Sequence, residues 1–79
     1  MSLALYYYDA CPFCQRVLRI LPKIGVEVEL RDILRNGEHR SQLKEATGRT
    51  TVPCLRLNKG EDSQWMFESA DIIRYLTSL

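Results

Sequence analysis

Apolar and polar positions change period several times along the chain. Residues 3–7 form an unbroken apolar run, which predicts a strand covered on both faces. From Pro12 the period becomes helical. Cys14, Val17, Leu18, Leu21 and Ile24 make one apolar stripe, and Arg16, Arg19 and Lys23 form a charged face away from it. Pro22 removes one helical N–H and is expected to kink or loosen the last turn, which Gly25 ends. Residues 26–31 alternate strictly, as a strand with one wet face does, and fit a sheet edge. Asn36 opens a second helix with Leu43 and Ala46 inward and Gly48 as its stop. Residues 52–57 and 64–67 read as strands joined by a hairpin loop over residues 58–62. Ser69 caps a final helix whose inward stripe is Ile72, Ile73, Leu76 and Leu79. The predicted order is βαβαββα, an α/β domain over residues 1–79 with a four-stranded mixed sheet flanked by helices. The first βαβ unit is expected to pair its strands in parallel through a right-handed crossover, and the hairpin extends the same sheet.

Composition narrows the class. The chain has 79 residues, 46% hydrophobic and 27% charged, which suits one small soluble globule. Its eleven Lys+Arg against ten Asp+Glu leave a net charge of +1, which does not suggest a nucleic-acid or membrane-surface footprint. No apolar run approaches the ~18 residues of a membrane span, and no signal-peptide layout opens the chain, so the expected location is the cytoplasm. Three cysteines are an odd number, which argues against a secreted disulfide framework.

Two of those cysteines carry the candidate chemistry. Cys11-Pro12-Phe13-Cys14 admits a zinc knuckle, a structural disulfide or a redox pair. Zinc needs four ligands, and the chain has no second Cys-x-x-Cys; only His39 and Cys54 remain to complete a site. A permanent disulfide does not suit a reducing compartment. The redox reading fits the geometry, because two positions three apart on a helix lie roughly 5 Å apart, within disulfide reach. Pro12 prefers the first helical position, which puts Cys11 at the cap, where free N–H groups and the helix dipole favour a thiolate. Cys14 lies on the apolar stripe. The pair is therefore expected to be an exposed nucleophile and a recessed resolving thiol.

Cys11-Pro12-Phe13-Cys14 after a strand, with Thr51-Val52-Pro53 before a later strand, resembles the glutaredoxins of the thioredoxin fold. Residues 67–76, Phe-Glu-Ser-Ala-Asp-Ile-Ile-Arg-Tyr-Leu, are similar to the glutathione S-transferase N-terminal domain. The resemblance implies a glutathione-dependent thiol–disulfide oxidoreductase that reduces glutathione mixed disulfides or protein disulfides. Glutathione is the implied co-substrate, with no prosthetic group and no metal, and a monomer is expected. Cys11 would attack and Cys14 resolve. Phe13 stands where a Tyr is common and would wall the site. Pro53 would be cis, with Thr51 and Val52 meeting the glutathione backbone. Glu68 and Ser69 would hold its γ-glutamyl end, and Arg40 would pair with its glycine carboxylate. Tyr8 stands where glutaredoxins often carry Lys, and Asp9 follows it. Two other functions remain open: a non-catalytic glutathione-binding module, and an iron–sulfur cluster carrier bridged through Cys11 and glutathione.

Overall fold

The computed structural model describes residues 2–79. Its elements run β1 (Ser2–Tyr7), α1 (Pro12–Ile24), β2 (Glu29–Asp32), α2 (Gly37–Thr47), β3 (Cys54–Lys59), β4 (Asp62–Met66) and α3 (Ser69–Thr77). The expected βαβαββα order holds. The strands lie in the order β2-β1-β3-β4. β1 pairs with β2 in parallel, while β1–β3 and β3–β4 are antiparallel. No helix is long and apolar enough to cross a membrane among the described residues.

The unbroken apolar run of β1 is explained by its central place. Leu3 and Leu5 face one side, in a core with Val17 of α1, Leu55 and Leu57 of β3, and Ile72 and Leu76 of α3. Ala4 and Tyr6 face the other, with Ile33, Leu43 of α2 and Cys54. A strand buried on both faces has no polar position to alternate with. The Tyr6 ring is fully buried. Its hydroxyl donates to Gln42 Oε1 at 3.1 Å and accepts from Arg31 Nη1 at 2.6 Å, so the burial leaves no polar group unpaired there.

The structure corrects several boundaries. Of the alternating residues 26–31, only the end enters a strand, since β2 begins at Glu29; it is an edge strand, as its pattern required. The hairpin is tighter than expected, with Lys59 paired to Asp62 across Gly60-Glu61, and Gly60 takes φ +66°. α1 passes through Pro22 without ending and stops at Gly25, in the left-handed region at φ 66°. Pro22 is exposed, so solvent can serve the carbonyl that it leaves without a helical donor. Ala46 is exposed, and α2 buries Leu43 alone. Leu79 lies beyond the end of α3 and is 59% exposed. Ser69 is the first residue of α3 rather than its cap; Glu68 is the cap and makes no side-chain capping bond.

Candidate active site

β1 delivers the chain to the turn 8–10, and two hydrogen bonds shape that turn. The Cys11 N–H donates to the Tyr8 carbonyl at 3.2 Å, and Gln15 Nε2 of α1 donates to the Asp9 carbonyl at 2.7 Å. Cys11 is thereby the N-cap of α1, with extended dihedrals (φ −79°, ψ 117°) and Pro12 next. Its sulfur accepts from the Cys14 N–H at 3.4 Å. The cap position expected from Pro12 is thus realised, and a backbone donor points at the sulfur. The expected exposure is not realised: Cys11 is 5% exposed and Cys14 0%. Cys11 is the less buried of the two by a small margin, and both thiols are recessed.

Burial pushes the Cys14 thiol up to about 12; a bond from the Tyr8 backbone opposes this, and Cys11 adds to it. Cys54, fully buried between β1 and the α2 side, is likewise pushed up to about 12 by burial. All three cysteines are free thiols. Among the described residues, no three His, Cys, Asp or Glu side chains gather closely enough to hold a metal ion. His39 lies against the Tyr6 ring, 6.4 Å between centroids, rather than with a thiol pair.

The opposite wall of the site comes from the 49–53 loop. Its Val52–Pro53 peptide is cis. The Val52 carbonyl accepts from Cys11 Sγ at 3.9 Å, which ties this loop to the thiol. Beside it opens a cleft of about 190 Å³ lined by Phe13, Arg49, Thr51, Val52, Pro53, Phe67, Glu68 and Ser69. A larger depression, about 670 Å³, lies where β1 starts, against Val26 to Glu29 and Leu79, at the strand end remote from Cys11. Its lining does not touch the thiol pair, whereas the smaller cleft includes Val52, whose carbonyl meets the Cys11 sulfur.

Six sequence-selected residues (Phe13, Thr51, Val52, Pro53, Glu68 and Ser69) therefore meet in one cleft. Arg40 does not join them; it is exposed on α2 and absent from the lining. The cation in the cleft is Arg49, whose guanidinium stacks over the Phe67 ring at 4.2 Å. Arg49 and Phe67 were missed as site residues. In the sequence Arg49 precedes Thr51-Val52-Pro53 in the same loop and Phe67 adjoins Glu68, but spacing alone does not set Arg49 above Arg40. The cleft thus has a cation at Arg49, a carboxylate at Glu68, a helix N-terminus at Ser69 and two aromatic walls. Such a set suits a small extended ligand with both a carboxylate and an ammonium group.

Comparison with known proteins agrees with this geometry. A profile of the glutathione S-transferase N-terminal domain matches residues 5–79. Glutaredoxin 2 of Escherichia coli (strain K12) is 35% identical over 75 residues, covering 95% of this chain and 33% of its own. Glutaredoxin 3 of the same organism is 33% identical over 54 residues, 68% of this chain and 65% of its own. The chain thus spans about a third of the length of the glutaredoxin 2 sequence it matches. Among solved structures, the trimeric glutathione transferase of Leishmania superposes with a TM-score of 0.76 at 33% identity, over 95% of this chain and 17% of that one. The four-stranded mixed sheet and its three helices are the thioredoxin-like fold of these domains. With the profile covering nearly every residue, the chain belongs to the glutathione S-transferase N-terminal domain family.

Proposed function

We propose that this domain is a glutathione-dependent thiol–disulfide oxidoreductase whose nucleophile is Cys11. One observation carries the reading. The only cysteine at a helix cap has its sulfur on the Cys14 N–H at 3.4 Å and on the Val52 carbonyl at 3.9 Å, at the edge of the cleft. The Cys11 thiolate attacks the glutathionyl sulfur of a mixed disulfide. The S–S bond to the substrate breaks, the substrate leaves as a thiolate and takes a proton, and Cys11 is left bonded to glutathione. A second glutathione thiolate attacks that adduct, releases oxidised glutathione and restores the Cys11 thiolate. The net exchange consumes one glutathione thiol and passes the disulfide from the substrate to oxidised glutathione, whose other half came from the mixed disulfide itself. Alternatively Cys14 attacks the adduct, expels glutathione and leaves a Cys11–Cys14 disulfide.

Glutathione recognition follows from the cleft. Glu68 meets the γ-glutamyl ammonium, and the N-terminus of α3 at Ser69 meets the neighbouring carboxylate. Arg49 takes the glycine carboxylate, the role the resemblance had implied for Arg40. Phe13 and Phe67 wall the peptide between them.

The family match favours a second reading, in which the domain holds glutathione without turnover. A coupled assay on the mixed disulfide of glutathione and 2-mercaptoethanol separates the two. The oxidoreductase reading expects turnover that Cys11→Ser abolishes and Cys14→Ser retains. Equal loss in both variants, or glutathione binding with no turnover in the parent protein, would sink it.

A further inference from the structure

Helix α1 leads away from the site, and its sequence, PFCQRVLRILPKI, contains three cations and no acid. Arg16, Arg19 and Lys23 are all exposed, and their spacing puts them on one helical face. The ion pairs among the described residues join Glu29–Arg31, Asp9–Arg35, Asp32–Arg35 and Asp71–Arg74, so none of them engages this row. The chain as a whole is nearly neutral, at +1, so the row is a local excess and not a reflection of bulk charge. It begins at the cleft. The Arg16 guanidinium sits 5.4 Å from the centroid of Phe13, a cleft residue that is itself 54% exposed.

From these observations we infer that the exposed face of α1 is a docking surface for an acidic segment of the protein whose mixed disulfide enters at Cys11. The inference rests on the oxidoreductase reading of that site. Glutathione occupies the cleft, so the polypeptide on the other side of the disulfide must leave past Phe13, and Arg16 is the next exposed residue on its path. The helical rise puts Arg19 about 4.5 Å and Lys23 about 10 Å beyond Arg16. An extended chain covers that length in roughly three residues. Carboxylates about three to six residues from the reacting cysteine therefore reach the row. Three cations are too few for tight nucleic-acid binding, whose affinity grows with the number of phosphates neutralised.

The test uses two peptides, each with one glutathionylated cysteine. One carries Glu at the third to sixth positions after it, the other Gln at the same positions. Exposed ion pairs are individually weak and screened by salt. Wild type should turn over the Glu peptide with about tenfold higher kcat/KM at low ionic strength, from roughly three such pairs. High salt should erase the preference and the double variant Arg19→Gln/Lys23→Gln should cut it to about twofold, the share left to Arg16, with turnover of the small mercaptoethanol mixed disulfide unchanged. Fluorescence anisotropy with unglutathionylated, cysteine-blocked peptides on the Cys11→Ser protein reads docking without chemistry, so failure of the oxidoreductase reading still leaves docking decided. Equal kcat/KM for the two peptides, a preference that the double variant leaves undiminished, or a single-stranded oligonucleotide bound as tightly as the Glu peptide would overturn the inference.

Discussion

With glutathione bonded to Cys11 and every free thiol removed, the adduct can be resolved only through Cys14. That thiol is fully buried and raised from its ordinary 9.0 to about 12, chiefly by burial. A rise of three units cuts the thiolate population near neutral pH about a thousandfold. The more basic thiolate is intrinsically more nucleophilic, by roughly 15- to 30-fold, because reactivity grows with basicity at a slope of about 0.4–0.5. Internal resolution at pH 7.4 should therefore run slower than with an ordinary thiol in the same geometry, by up to about 30- to 60-fold. In the adduct Cys11 is no longer a thiol, so its two upward contributions vanish, while desolvation, the largest cause, remains. The assay isolates the Cys11–glutathione adduct and follows glutathione release by mass, without added thiol. Below pH 9 the logarithm of the rate should climb by about one per pH unit, with no plateau. Cys14→Ser should hold its adduct indefinitely under the same conditions and release it when glutathione is added. A rate that levels off near pH 9, or that does not depend on pH, would refute the reasoning, because it would mean that Cys14 ionises as an exposed thiol does.

The remaining expectations test the cleft and the fold. Arg49→Gln should raise the glutathione KM about three- to tenfold, as loss of one charge-linked hydrogen bond does, while Arg40→Ala leaves it unchanged; steady-state kinetics at low salt distinguish the two. Thermal melts should show stability falling from pH 9 toward 12. Cys54 has a raised folded value of about 12, so its contribution is whole below the ordinary 9.0 and is lost as pH rises through that window. Cys54→Ala should make this decline shallower, and Cys14 accounts for part of what is left. Leu43→Ala should cost about 2–4 kcal/mol in urea unfolding, because Leu43 is the one fully buried side chain that α2 contributes.

Why some of this was legible in the sequence and some was not follows from what each signal depends on. Element order and the central place of β1 depend on local periodicity, and residues 3–7 state it without ambiguity. Where an element is thin, periodicity misleads. α2 rests on Leu43, so Ala46 had the right spacing but no partner to face. The alternation of residues 26–31 is equally compatible with a strand and with an extended connection, and hydrogen bonding to β1 claims only its end. The cap at Cys11 was legible because Pro12 constrains its neighbour, yet the depth of Cys11 depends on the distant Val52 loop closing over it. The choice between Arg40 and Arg49 has the same origin. Both are cations upstream of Pro53, and nothing local ranks them. Phe67 does: its ring, brought across by the β3–β4 hairpin, gives the Arg49 guanidinium a face to stack on at 4.2 Å, whereas Arg40 stays exposed on α2. The residues of a site that come from one segment can be read from spacing. The residue that a second segment selects becomes visible only when the sheet brings the two together.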